Sequence, residues 1–144
     1  MDNHTKLKVL DLNVPKMVHS LRVSDLPEPQ IPEPILEVRF FQTTSKNEPV
    51  REWLKALVKD DRRSIGEDIK TAQYGWPLGM PLVRKLEKNL WEVRTSVSNG
   101  IARVIFTVIG NQMVLLHGFI KKSQKTPKPD LELARKRLKL LENA

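Results

Sequence analysis

An α+β fold is what this sequence predicts: a small, mainly antiparallel sheet with two N-terminal helices packed on one face and a C-terminal helix, in the order β-α-α-β-β-β-α. Three observations predict it. Residues 90–120 fall into three apolar, β-branched runs separated by Ser98-Asn99-Gly100 and Gly110-Asn111, the punctuation of tight hairpins. Residues 45–76 carry apolar residues at helical spacing. "TPKPDLELARKRLKLLENA" at the C-terminus does the same, with a proline near its start.

Taken in order, residues 1–34 read as an extension outside the domain. "LKVLDLNV" (7–14) alternates imperfectly, and "LPEPQIPEP" (26–34) favours an extended, polyproline-like linker. The domain, residues 35–144, starts at the β-rich "ILEVRFF". Pro49 suits the first turn of a helix capped by Asn47 or Ser45, with Val50, Trp53, Leu54 and Leu57 as its inner stripe. Asp60 and Asp61 suit the start of a second helix, whose buried side continues through Ile65, Ile69 and Ala72. Trp53 and Trp76 are expected in the core. In the last helix the inner stripe is Leu131, Ala134, Leu138 and Leu141, with "RKRLK" (135–139) as a basic outer face.

The hairpin loops propose registers. Asn99-Gly100 as a two-residue loop sets Ser96 opposite Arg103 and Arg94 opposite Ile105. Period two then places Glu92, Arg94, Ser96, Arg103 and Ile105 on one face and Trp91, Val93, Val97, Ala102, Val104, Phe106 and Val108 on the other, apolar face. Gly110-Asn111 sets Arg103 opposite Gly118 and Val104 opposite His117. Gly118 and Lys122 then join the arginine face, His117 falls on the core face, and Lys121 points away.

The net charge of +8 is uneven. Residues 1–83 hold twelve cations and twelve acids; residues 84–144 hold thirteen and five. A basic face for a polyanion follows, nucleic acid above all, although a basic surface also serves solubility. There is no cysteine, so disulfides, thiolate nucleophiles and zinc–thiolate sites are excluded. Nor is there an apolar leader or a run long enough to span a membrane, and a soluble, cytoplasmic protein is expected. No phosphate loop, metal-ligand spacing or Ser/His/Asp grouping is visible, so neither cofactor nor metal is expected.

Arginines inside a strand are costly unless they meet an anion or water. Arg94 and Arg103 either pair with Glu92 or line an open groove suited to phosphate. "HGFIKKSQKTPKP" (117–129) places Lys121, Lys122, Lys125 and Lys128 at the exit of the neighbouring strand, where the first three converge on such a groove or the whole cluster is a solvated loop. Crowded ammonium groups shed protons more readily, so one lysine could accept a proton. His117, placed by this register among apolar side chains, is the alternative base if a one-residue slip or a β-bulge turns it off the core face.

The stretches "LWEVR", "ARVIF" and "LLHGFIKKSQKTP", followed by a helix of the form D/E-x-x-x-A-x-x-R, resemble the HigB-like, phage-derived branch of the RelE/ParE toxin superfamily. The resemblance covers roughly residues 35–141 and implies a RelE-like fold. It implies the toxin of a type II toxin–antitoxin pair: a ribosome-dependent endoribonuclease that enters the ribosomal A site and cuts translated mRNA without metal, by 2′-OH attack on the adjacent phosphate. It also implies a cognate helix-turn-helix antitoxin. Under this reading Arg94, Arg103, Lys121, Lys122 and His117 are the expected catalytic residues, and Lys125, Lys128, Arg84 and Lys85 the substrate-binding ones. Two other functions stay open: a non-catalytic nucleic-acid-binding protein, or a ParE-like toxin that inhibits gyrase.

Overall fold

The computed structural model describes residues 22–27 and 32–144. The strand considered for residues 7–14, His4, His19 and residues 28–31 of the proline-rich linker lie outside these residues. The chain divides into two units, 1–32 and 33–144. In the first, Val23–Asp25 forms a 3-10 turn, with the Arg22 N–H donating to the Asp25 carboxylate at 3.1 Å.

The second unit contains β1 (Glu37–Phe40), α1 (Pro49–Ala56), α2 (Lys59–Gly75), β2 (Val83–Glu87), β3 (Leu90–Val97), β4 (Gly100–Ile109), β5 (Gln112–Lys121) and α3 (Lys128–Glu142). The five strands form one sheet in the order β1-β5-β4-β3-β2. It is α+β, but the sheet is mixed, because β1 runs parallel to β5 while the other pairs are antiparallel. β1 meets its parallel neighbour β5 only after the two helices and the β2–β4 strands, a long connection of the kind a parallel pair requires.

α1 and α2 cover one face. Val50, Ile65, Ile69 and Ala72 meet Val93, Val104, Phe106 and Leu115 there, with Trp53, Leu54, Leu57 and Trp76 at the margin. α3 covers the opposite face, where Leu131, Ala134, Leu138 and Leu141 pack on Ile105, Val114, Leu116 and Phe119. The apolar stripes read from the sequence are therefore those that face the sheet. Asp60 and Asp61 do lie in the first turn of α2. The cap of α1 differs from expectation: Glu48 is the N-cap and makes no side-chain cap bond. Thr43 instead takes the Asn47 N–H at 3.0 Å, closing a turn in which Lys46 has φ 69°.

Two registers depart from the expected ones. The β3–β4 loop is Ser98-Asn99, Val97 faces Gly100, and Arg94 faces Arg103 directly. Gly100 is the first strand residue (φ +141°), and a Cβ there would lie 3.0 Å from the Lys121 carbonyl oxygen. Asp61 fixes the choice from outside the hairpin, accepting the Ser98 hydroxyl at 3.0 Å and its N–H at 3.4 Å. The shift is two residues, so the two faces keep their members.

The second departure reverses a face. Phe106 faces Leu115, but Ile105 faces His117, leaving Leu116 as the extra residue of a β-bulge. Beyond it His117, Phe119 and Lys121 share the face of Arg103, opposite Ile105, Arg103 and Ile101 respectively. The bulge is anchored by Arg137 of α3, whose guanidinium donates to the Leu116 carbonyl at 2.7 Å and sits 5.6 Å from the centre of the Phe41 ring. Arg137 is thus half-buried on the sheet, and the RKRLK segment is not simply an outer basic face. Burial pushes its guanidinium below its ordinary pKa.

Gly118, expected beside Arg103, faces the other way, and a Cβ there would overlap the indole of Trp53. Gly118→Ala is therefore expected to cost roughly 1–3 kcal/mol by overpacking, measured as a lowered urea midpoint. Trp53→Leu in the same chain should recover part of that loss.

β2, absent from the expected order, is a short edge strand. "VRKLE" carries three charges in five residues, and Asn89 at φ 65° makes its turn into β3.

Candidate nucleic-acid interface

Three guanidiniums rise from adjacent strands on the α3 face and hold one loop. Arg84 of β2 donates to the Gln124 carbonyl at 3.3 Å, and Arg94 of β3 to the Gln124 side-chain oxygen at 3.0 Å. Arg103 of β4 donates to the carbonyls of Lys125, at 3.1 Å, and Ser123. Its guanidinium also lies 5.8 Å from the centre of the Phe119 ring. Beneath them Glu92 is fully buried. Thr126 donates to its carboxylate at 3.1–3.2 Å, and Arg94 approaches to 3.9 Å. A buried carboxylate needs such neighbours, and here they tie the two ends of the loop to one sheet.

This geometry corrects the expectation that Arg94 and Arg103 line an open groove. Arg103 has no exposed surface and Arg94 keeps 10 % of its side chain exposed. Their partners are carbonyls and Glu92, because the chain after β5 folds back over them. Burial is the main cause pushing the Arg103 guanidinium below its ordinary pKa, opposed by Glu92; Arg94 and Arg84 push it further down.

The lysines behave differently. Lys121, Lys122, Lys125 and Lys128 are all exposed along the clamped segment. Lys121 lies on the arginine face, opposite Ile101, where Lys122 had been expected. Lys125, Thr126, Lys128 and Arg135 border a cleft of about 530 Å³ at the start of α3. Lys85 is not gathered here: it pairs with Trp91, so it points to the other face, 6.0 Å from the centre of that ring.

His117 leaves the core face through the bulge. Its Nε2 lies 2.7 Å from Asp130 Oδ1 in the first turn of α3, and its ring stacks on Phe119 with centres 5.4 Å apart. An ionised Asp130 selects the tautomer with the proton on Nε2 and leaves Nδ1 as a lone-pair base. Glu92 had been read from the sequence as a possible partner, by sharing the parity of Arg94; Asp130, Gln124 and Thr126 went unnoticed as members of this constellation.

Glu87 and Arg135 close the far side, with contacts of 2.6–3.1 Å. The Arg135 hydrogen bond holds the Glu87 carboxyl below its ordinary 4.5. A carboxylate depressed in the folded state adds stability above its unfolded pKa and loses it as pH falls through the folded value. Because the pair is exposed to solvent screening, Arg135→Gln is expected to lower the urea midpoint only slightly at pH 7. Repeating the urea titration at successively lower pH, below the ordinary carboxylate range, should shrink that difference as Glu87 takes up its proton in the folded state.

Among the described residues there is no group of three or more His, Cys, Asp or Glu able to hold a metal ion, and no helix long and apolar enough to cross a membrane. Residues 52–139 match the family described as "Phage derived protein Gp49-like (DUF891)". No curated protein matches the chain.

Proposed function

Since the chain belongs to the phage-derived Gp49-like family, part of the RelE/HigB-like toxin superfamily, we propose that it is a HigB-like endoribonuclease toxin acting on translated mRNA. The family suggests a toxin of toxin–antitoxin type, is associated with toxin nuclease activity and implies an antitoxin partner. The observation that carries the finer reading is the row of exposed lysines on a loop fixed from below by three guanidiniums. Such a loop presents cations to successive phosphates without first having to be ordered.

In this reading Lys121, Lys122, Lys125 and Lys128 bind the RNA backbone. Arg94, at the rim, adds charge to the attacked phosphate. Arg103 and Arg84 are positioning residues. His117, oriented by Asp130, takes the proton of the ribose 2′-OH as that oxygen attacks the adjacent phosphorus; the bond to the 5′-oxygen breaks, that oxygen takes a proton from water and leaves as a 5′-hydroxyl, and a 2′,3′-cyclic phosphate remains. The cytoplasm, with the ribosomal A site and a helix-turn-helix antitoxin as partners, completes the proposal.

Induction should arrest growth and create new mRNA 5′ ends inside translated codons, read by mapping 5′ ends. His117→Gln keeps a donor for Asp130 while removing the base, so a loss of about 10²–10⁴-fold in cleavage is expected with little change in stability. Intact transcripts with trapped gyrase would support the ParE-like alternative. Tight RNA binding without growth arrest would support a non-catalytic binder.

A further inference from the structure

A second recess lies outside the lysine loop. β2 pairs with β3 only as far as Val83, opposite Val93; the Arg94 N–H then takes the Leu82 carbonyl at 2.9 Å. β3 continues to Val97, and among the described residues no strand faces Thr95–Val97 on that side. Backbone groups alternate between the two edges of a strand, so the N–H and C=O of Ser96 point the same way as the Arg94 N–H, into the recess. Its volume is about 540 Å³, with Pro81 and Leu82 among its lining residues, as are Ser64, Glu67 and Asp68 of α2. Ser96 and Glu67 are exposed.

Two features give the recess a chemical preference. An uncovered sheet edge is a template for another strand. The α2 wall is acidic in a protein whose net charge is +8, and Arg94, the one cation lining the recess, is already engaged by Gln124 and Glu92. Asp68 accepts the Thr95 hydroxyl at 2.8 Å. Thr95 shares the helix-covered side with Val93, so a strand added here would turn every second side chain toward Glu67 and Asp68.

We propose that this notch is a protein-docking site: it takes an extended segment of a partner protein, added to the sheet beside Thr95–Val97, with a lysine or arginine directed at Glu67 and Asp68. The free edge is the three residues Thr95–Val97, or roughly 10 Å, so a short segment suffices. The proposal does not depend on the nuclease reading.

The probe is an acetylated, amidated hexapeptide alternating threonine and valine with one central arginine, titrated into the isotope-labelled full chain and followed by NMR. The Ser96 and Glu67 amide signals are expected to move at millimolar peptide. The same peptide with glutamate for arginine should bind at least fivefold more weakly, and Glu67→Lys should reverse that order. A peptide N-methylated at its centre should not bind. Four results would overturn the proposal: no shift at Ser96, indifference to peptide charge, shifts confined to residues 121–128, or concentration-dependent shifts of the chain alone, which would mark the notch as a self-association edge.

Discussion

Arg103→Ala is expected to unfold much of the population or release the segment that follows β5. Removing this guanidinium strands the carbonyls of Ser123 and Lys125, empties space beside Phe119, and takes a countercharge from the neighbourhood of Glu92. Breaking a buried charged network from one side costs about 3–5 kcal/mol, against a total stability of roughly 5–15 kcal/mol for a domain of this size. Urea titration reads the loss, and amide exchange should show the Thr126 region opening first. Arg103→Lys keeps a charge but not the planar fork, so it should fall between wild type and alanine. A midpoint shift below about 1 kcal/mol, with protection around Thr126 intact, would contradict the clamp. Loss of activity in Arg103→Ala would therefore report the scaffold as well as any chemistry, which makes this arginine a poor diagnostic of catalysis.

Replacing Lys121, Lys122 and Lys125 together by glutamine should have the opposite profile. All three are exposed, so each change is expected to stay within about 0.5 kcal/mol in stability. RNA affinity should fall steeply. Each phosphate contact to a single strand contributes about 0.7 to the slope of log affinity against log salt, so the triple variant should lower that slope by about 2. Fluorescence anisotropy with a short single-stranded RNA at several salt concentrations measures it. An unchanged slope would place the RNA elsewhere on the molecule.

Much of the fold was legible because its signals are local. The stripes of α1, α2 and α3 and the two faces of the β3–β4 hairpin follow from spacing alone, and survive a two-residue error in register. What escaped was decided at a distance. Asp61, nearly forty positions away in sequence, selects Ser98-Asn99 as the loop and leaves Gly100 for a close approach by Lys121. Nothing near Leu116 announces a bulge; its carbonyl is held by Arg137 from α3. The cations of the site were found by composition, but their division of labour was not. That division depends on the loop after β5 folding back onto β2, β3 and β4, for which a local reading has no signal.

The extra residue at Leu116 makes β5 a strand with two reading frames. Before it, odd positions such as Met113 and Leu115 serve the α1–α2 side; after it, even positions such as Gly118 and Ile120 do. Deleting Leu116 would restore a single frame and leave everything downstream on its present face, because Leu115 and His117 already lie on opposite sides. Keeping the residue but pairing Leu116 with Ile105 would instead turn the His117 imidazole toward the α1–α2 side and Lys121 away from the arginine side. Sequence changes on either side of Leu116 are thus subject to opposite alternation rules, and alignments that slide a gap through this strand would assign the wrong side chains to the basic surface.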